Sequence, residues 1–239
     1  MKIVILPGLD GTGQLLSEVR DVLAQRHPVS ILDYPVTLHR YLDIQHWVKA
    51  RLPDEDFILI AESFAGPLAV LLASEGLPAL RGVVFVATFA RPPARVPAFV
   101  ADLLRILPIG SGWLVALAQP LVMGRWSRPA FTETFRQALR LVPKATLAGR
   151  LKAVLEIDVR QPLQHRALPS IYLLPTRDRL VSAKLVKDFN LSPDHVFPVE
   201  GPHFLLQARP KECAAITCAF AARLAGLYSD EVSGLFEGK

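Results

Sequence analysis

Short runs of consecutive apolar residues alternate along this chain with stretches whose apolar positions recur every three or four residues. Ile3–Leu6, Val29–Leu32, Phe57–Ala61 and Val83–Ala87 are too short for buried helices and show no polar alternation. They read as strands covered on both faces, the habit of parallel sheets. Between them lie helical patterns. Gln14–Leu23 places Leu15, Leu16, Val19, Val22 and Leu23 on one side, with Thr12 as a candidate cap, and Tyr41–Leu52 follows the second strand. Phe64–Ala73 is apolar all round, as a helix buried on every face must be. Strand and helix in alternation predict a parallel α/β sheet.

After Thr88 the alternation stops, and Arg91-Pro92-Pro93 opens a long stretch without strand signals. Within it Val96, Phe99, Val100, Leu103, Leu104 and Leu107 share one helical face, and Phe131, Phe135, Ala138, Leu139 and Val142 share another. Residues 90–164 are therefore expected to form a helical insert, with 1–89 and 165–239 making one α/β core of about six strands. The sheet pattern resumes with a strand at Ile171–Leu174, a helix near Ala183–Phe189, a strand at His195–Val199 and a last helix over Leu205–Ala225. Ser229–Lys239 is expected to be a loosely held tail.

Composition narrows the class. A hydrophobic fraction of 51% over 239 residues supplies a sizeable core, so disorder is not the default reading. The net charge of +5 is unevenly spread: Arg91–Arg160 carries eleven Lys/Arg against four Asp/Glu, net +7, which leaves −2 for the remainder. Such a segment suits an acidic partner, an anionic substrate or a membrane surface, and equally a solvated helical face. No nucleic-acid partner is expected. The uncharged run Ile106–Met123 has the length of a membrane span, but Pro108, Gly110, Ser111, Gly112, Gln119 and Pro120 would leave backbone groups unpaired in lipid, so no transmembrane segment is predicted. Met1-Lys2 runs straight into the first strand without a basic and apolar leader, and cytoplasmic residence is expected. Cys213 and Cys218, five apart in one helix, suit neither a disulfide nor a four-ligand metal site and read as small core residues.

The loop Pro7-Gly8-Leu9-Asp10-Gly11-Thr12-Gly13 lies between a strand and a helix, where backbone amides hold anions. A P-loop fails, because Gln14-Leu15 stand where Lys and Ser/Thr would bind phosphate and magnesium. A dinucleotide fingerprint has its outer spacing in Gly8 and Gly13 and an acid in Asp33, but Asp10 occupies the middle glycine position. A third reading makes the loop half of an oxyanion hole through the Leu9 amide. The plainest reading, a glycine turn that lets chain and helix pack closely, is compatible with the third.

Ala61-Glu62-Ser63-Phe64-Ala65 sits between the buried strand and the buried helix. A nucleophile elbow usually reads G-x-S-x-G, and both outer positions here are alanine. A lone serine at such a turn is as readily a helix cap. Gly66 and Pro67 continue the turn, the proline still within the first helical turn, where it is tolerated. Thr176-Arg177-Asp178-Arg179-Leu180-Val181 and Glu200-Gly201-Pro202-His203-Phe204 each follow a predicted strand. Asp178 alone would pass for a surface acid between two arginines, and His203 alone for a structural histidine. Together with Ser63 they fall in the chain order Ser, Asp, His used by α/β hydrolases.

Through these four stretches the whole chain resembles the α/β-hydrolase superfamily, with the strand before Pro7-Gly8 matching the family's third, the first hairpin absent and the insert matching its cap. More narrowly, Asp158-Val159-Arg160-Gln161-Pro162-Leu163-Gln164, the spacing to Asp178, and Gly201-Pro202-His203 resemble small bacterial carboxylesterases of the pimeloyl-carrier-protein methyl ester esterase type. Leu-Pro-Gly-Leu-Asp-Gly-Thr-Gly and Glu-Ser-Phe-Ala-Gly-Pro are also similar to bacterial and plant hydrolase and acyltransferase-like sequences.

The resemblance implies a serine carboxylesterase in which Ser63 is the nucleophile, His203 the general base and acid, and Asp178 the group that orients the imidazole. The Leu9 and Phe64 amides would receive the oxyanion, and no metal or organic cofactor would be needed. Leu9, Phe64, Trp113, Met123, Trp126 and Phe204 are candidates to line a pocket for a small-molecule ester, although cap packing accounts for the apolar cap residues as well. The dehalogenase branch is disfavoured, since its nucleophile is a carboxylate. Two alternatives stand beside this reading: acyl transfer or hydrolysis of acyl groups on an acidic carrier protein docked at the basic cap, and a non-catalytic ligand-binding protein on the same fold. Neither oligomeric state nor the natural ester is read from the sequence.

Overall fold

The computed structural model describes residues 1–107, 119–164 and 168–226. Among them six strands form one sheet: β1 (Lys2–Leu6), β2 (Val29–Ile31), β3 (Phe57–Glu62), β4 (Leu80–Val86), β5 (Ser170–Pro175) and β6 (Val196–Val199). Their order is β2-β1-β3-β4-β5-β6, and every neighbouring pair is parallel. Apolar strands of this kind must be covered twice. Val4, Leu6, Leu59, Ala61 and Phe85 face a layer built on α2 (Tyr41–Lys49) and α3 (Ala65–Ser74). Ile3, Ile5, Ile58, Ile60 and Val84 face the opposite layer, made by α1 (Ser17–Leu23) and the C-terminal helix. The period-two alternation was invisible in the sequence because both faces are core.

The strand order sets the site. From β1 the chain crosses to β2 on one side and then to β3 on the other, so the carboxyl ends of β1 and β3 flank a topological switch point. The Pro7–Gly13 loop leaves one end and Ser63 the other.

Between β4 and β5 the regular elements named among the described residues are helical: a 3-10 turn at Ala98–Asp102, then α4 (Leu103–Ile106), a 3-10 turn at Gly124–Trp126, α5 (Pro129–Leu141), α6 (Lys144–Glu156) and α7 (Arg160–Gln164). Phe131, Phe135 and Ala138 of α5 are buried along the expected face. The face expected over Val96–Leu107 is not: Phe99 is 71% exposed, Val96 and Leu103 are exposed as well, and only Ala101 is buried in the 3-10 turn. The tighter winding of the first half rotates successive apolar positions off a shared α-helical face.

Other elements depart from expectation for local reasons. Gln14–Leu16 is a 3-10 turn leading into α1, and its cap position is Gly13 rather than Thr12, whose hydroxyl and amide both bond Asp10 Oδ2. Ala183–Phe189 is a 3-10 helix, capped by Ser182. His195 closes a 3-10 turn ahead of β6. The last helix is broken into α8 (Leu205–Ala208) and α9 (Pro210–Leu224), because Pro210 has no N–H and its ring pushes Arg209 to φ −134°, ψ 50°. Cys213 and Cys218 are free and buried. No helix among the described residues is long and apolar enough to cross a membrane. Ser229–Lys239 and most of the Ile106–Met123 run lie outside the described residues.

Close packing at the start of α3 is sharpest at Gly66, where an added Cβ would lie 1.9 Å from Thr88 Oγ1 and 2.8 Å from Thr88 Cβ. Thr88 is fully buried and cannot swing aside. Gly66→Ala is therefore expected to lower unfolding stability by about 1–3 kcal/mol in urea titrations; a loss below about 0.5 kcal/mol would contradict the packing argument.

Candidate active site

β3 enters the site fully buried and α3 leaves it buried on nearly all sides, so the residue between them has little freedom. Ser63 takes φ +52°, a left-handed conformation that costs a non-glycine residue about 1–2 kcal/mol. Neighbouring backbone holds it there. Ser63 N–H donates to Val86 O at 2.9 Å, and Ser63 O accepts from Gly66 N–H and from the Thr88 hydroxyl. Thr88 is fixed in turn by Tyr172, whose hydroxyl accepts from Thr88 N–H at 2.8 Å and donates to Thr88 O at 2.7 Å. Ala61 and Ala65 are both fully buried, their methyl groups taken into the core. The position that tolerates no side chain is Gly66.

The turn presents Ser63 Oγ 2.8 Å from His203 Nε2, and His203 Nδ1 lies 2.8 Å from Asp178 Oδ2. Asp178 comes from the loop after β5, and its Oδ1 accepts the Leu180 and Val181 amides at 2.7 and 2.9 Å. That leaves Oδ2 to accept the Nδ1 proton, which puts the lone pair of a neutral imidazole on Nε2, facing the serine hydroxyl. His203 follows β6 and is 3% exposed. The two loops are tied by Thr176 N–H to Val199 O and Arg177 N–H to Gly201 O, each 3.0 Å. Three residues spread over 140 positions thus form one hydrogen-bonded chain.

Leu9 and Phe64 border the same cavity as Ser63, and among the described residues neither backbone N–H has an acceptor. Unpaired amides at a buried turn are uncommon and are available to a negatively charged oxygen. The Phe64 backbone is held by Tyr41, whose hydroxyl donates to Phe64 O at 3.0 Å and whose ring stacks on Phe64 at 4.7 Å. The glycine loop has no room for a pyrophosphate. A Cβ at Gly11 would meet Arg150 Nη1 at 2.4 Å and one at Gly13 would meet Asp33 Oδ1 at 2.3 Å, so the protein's own side chains fill the concave side. No group of three His, Cys, Asp or Glu side chains among the described residues is placed to hold a metal ion.

The cavity has a volume of about 370 Å³. Phe89, Val100, Val122, Phe135, Leu147 and Leu151 give it an apolar wall, and Ser63 and His203 open into it. Of the residues expected to line it, Leu9, Phe64 and Phe204 do. Met123 is fully buried beside Val122, Phe131 and Phe135 and does not reach the cavity. Trp126 borders a separate cleft that Arg125, Arg177, Asp178 and Arg179 also line. Trp113 lies outside the described residues.

Sequence reasoning passed over Glu62. Its carboxyl is 2% exposed and accepts from Gln207 Nε2 at 2.9 Å and from Leu206 N–H at 3.3 Å, tying the serine turn to the helix that follows His203. Burial raises its pKa from 4.5 to about 7, against the opposing pull of the Gln207 and Leu206 hydrogen bonds and the His203 charge. Gln207 Oε1 is buried and has no hydrogen-bond partner among the described residues. Half a turn of the Gln207 amide would let that oxygen accept the proton of a neutral Glu62. The signal in the sequence was an acid in an otherwise apolar strand and turn.

No protein-family model and no curated protein sequence matches the chain. Solved structures do. The bromoperoxidase from Bacillus anthracis superposes with a TM-score of 0.78 at 15% identity, over 92% of this chain and 91% of that one. The enol-lactonase from Burkholderia xenovorans LB400 gives 0.78 at 16% identity, over the same shares of the two chains. An esterase from Exiguobacterium antarcticum gives 0.78 at 10% identity, again over 92% and 91%. Likeness at these identities shows the fold, the α/β-hydrolase fold, and leaves the chemistry to be argued from the residues.

Glu62 makes a pH prediction. Below about pH 4.5 it is protonated whether the chain is folded or not; as pH rises the unfolded chain releases the proton first, while the folded protein keeps it to about 7. The folded state therefore binds more protons across that window, and stability falls by roughly 3 kcal/mol between pH 4.5 and 8 relative to Glu62→Gln, which mimics the neutral acid. Urea titrations of both proteins across this range measure the difference. Parallel stability profiles would contradict it.

Proposed function

We propose that the protein is a serine carboxylesterase. The observation that carries the proposal is the hydrogen-bonded chain Ser63–His203–Asp178, 2.8 Å at each link, standing beside two unpaired amides at the wall of an apolar cavity. An ester whose acyl chain enters the cavity brings its carbonyl carbon to Ser63 Oγ. Attack forms the C–O bond while His203 Nε2 takes the hydroxyl proton. The carbonyl oxygen becomes an oxyanion held by the Leu9 and Phe64 amides. Collapse breaks the bond to the alcohol, which receives the proton from His203. Water then enters, gives a proton to His203 and cleaves the acyl-enzyme, and Ser63 is regenerated. Asp178, accepting Nδ1–H throughout, keeps the imidazole in the productive tautomer and stabilises the imidazolium.

A volume near 370 Å³ is at the small end of ligand sites, and its wall is almost wholly apolar. This supports an uncharged acyl group of medium length. The helical insert over 90–164 serves as the cap, since α5 and α6 supply Phe135, Leu139, Leu147 and Leu151 to the wall. The motifs that resemble pimeloyl-carrier-protein methyl ester esterases support a natural ester of that size.

The acidic-carrier reading loses much of its support. Arg91, Arg105, Arg125, Arg128, Arg136, Lys152 and Arg160 are each in an ion pair, and Arg150 is buried on backbone carbonyls. Among the described residues Arg95, Arg140 and Lys144 stand in no ion pair, and they are what is left for steering. The non-catalytic reading has no observation in its favour, because serine, histidine and acid are in hydrogen-bond contact.

p-Nitrophenyl esters from acetate to decanoate test the proposal. Wild type is expected to turn them over with an optimum at medium chain length, and Ser63→Ala and His203→Ala are each expected to lower kcat/KM by at least about 10³-fold. Absence of turnover across the whole series in wild type would overturn it.

A further inference from the structure

The buried cation of the insert, Arg150 on α6, is 0% exposed and stands in no salt bridge among the described residues. Four of its five N–H donors go instead to backbone oxygens of two loops. Nη1 donates to Leu9 O at 3.1 Å and Asp10 O at 2.6 Å, Nη2 to Pro35 O at 3.1 Å, and Nε to Leu38 O at 3.0 Å. Its guanidinium also stands 5.6 Å from the centre of the Tyr34 ring. Taking a guanidinium out of water to bond only neutral carbonyls is costly and adds nothing to the core that an apolar side chain would not supply more cheaply.

The loop it grips is the one that carries Leu9. Tyr34 completes the grip, its hydroxyl donating to Pro7 O at 3.1 Å and its amide to Gly11 O at 2.8 Å, while Gly11 N–H closes on Gly8 O at 3.1 Å. Every carbonyl from Pro7 to Gly11 is thus engaged, and among the described residues the Leu9 N–H is left without an acceptor at the cavity that holds Ser63. Gly11, at φ +70°, is what lets the guanidinium come this close. The same helix is seated on the core by the Thr146 hydroxyl, which donates to Val36 O, and by Gly149, where a Cβ would meet the His39 ring at 2.7 Å.

We propose that Arg150 is a positioning residue for oxyanion stabilisation: it latches the cap helix to the Pro7–Gly11 loop, aims the Leu9 amide at the reacting carbonyl, and places its positive charge behind that amide. The inference rests on the esterase reading and extends it to the insert. It makes seating of the cap and readiness of the oxyanion site one event. The ground-state ester is neutral and gains little from the latch, whereas the tetrahedral intermediate carries a full negative charge, so the effect belongs to kcat rather than to KM.

Arg150→Met and Arg150→Lys test it, with kcat and KM for a medium-chain p-nitrophenyl ester, inhibition by a trifluoromethyl ketone of the same chain length, and inhibition by the corresponding neutral alcohol. The ketone binds as a charged tetrahedral adduct and the alcohol does not. In Arg150→Met, kcat is expected to fall about 10²-fold with KM within about threefold. The ketone should weaken by a similar factor while the alcohol binds as to wild type. Arg150→Lys keeps the charge but cannot reach four carbonyls from one nitrogen, so it should fall between, and it decides the question if Arg150→Met does not fold. A purely structural arginine would lower Tm and leave kcat and ketone affinity within twofold of wild type in the folded variant, which would overturn the proposal. Wild type that fails to turn over the ester would instead overturn the esterase reading on which it rests.

Discussion

A non-glycine residue held at positive φ is the constraint on which the rest depends. Ser63 cannot adopt φ +52° in a relaxed chain without cost, so the surroundings must hold it there. Val86 O, Gly66 N–H and the Thr88 hydroxyl take the polar groups of its backbone, and Tyr172 from the next strand pins Thr88. The strain is therefore balanced by the neighbouring strands β4 and β5 together with the turn's own Gly66. It lifts Oγ out of the strand-to-helix corner and towards His203, which neither a regular strand nor a regular helix would do.

Everything else is arranged around that corner by topology. Because the chain reverses its direction of travel across the sheet between β1 and β3, the glycine loop and the serine turn open on the same crevice. The acid and histidine loops arrive from β5 and β6 and are tied to each other by backbone bonds, so their side chains meet without needing a long reach. Glu62 adds a further tie, binding the serine turn to the helix after His203 through Leu206 and Gln207. Residues between β4 and β5 supply much of the apolar wall of the cavity, and Arg150 among them reaches the glycine loop.

Much of this was legible in the residues. The short apolar runs revealed a sheet covered on both faces, and the order of Ser63, Asp178 and His203 at three strand ends anticipated the contacts that the fold makes. What stayed hidden depends on partners far along the chain. Glu62 was one acid beside a serine until Gln207 buried it, and Arg150 was counted among the basic residues of a solvated face although it is the one most completely removed from solvent. The charge of that segment misled in the same way, since Asp188, Glu200 and Glu18, all outside it, neutralise Arg91, Arg125 and Arg128. Trp126 and Met123 were grouped by apolarity, and only the packing of α5 against Phe204 separates core from cavity. Pro210 did carry its warning: a proline inside a helical pattern broke the last helix where the rule places the break.

The central claim is that Ser63 becomes acylated during turnover. Acid-quenching the reaction with p-nitrophenyl octanoate on the millisecond scale, followed by mass spectrometry of the digested protein, tests it most directly. The account predicts an octanoyl group on the peptide containing Ser63, formed with a burst of p-nitrophenol and absent from Ser63→Ala. Ester hydrolysis that proceeds without any acyl group on Ser63 would contradict it.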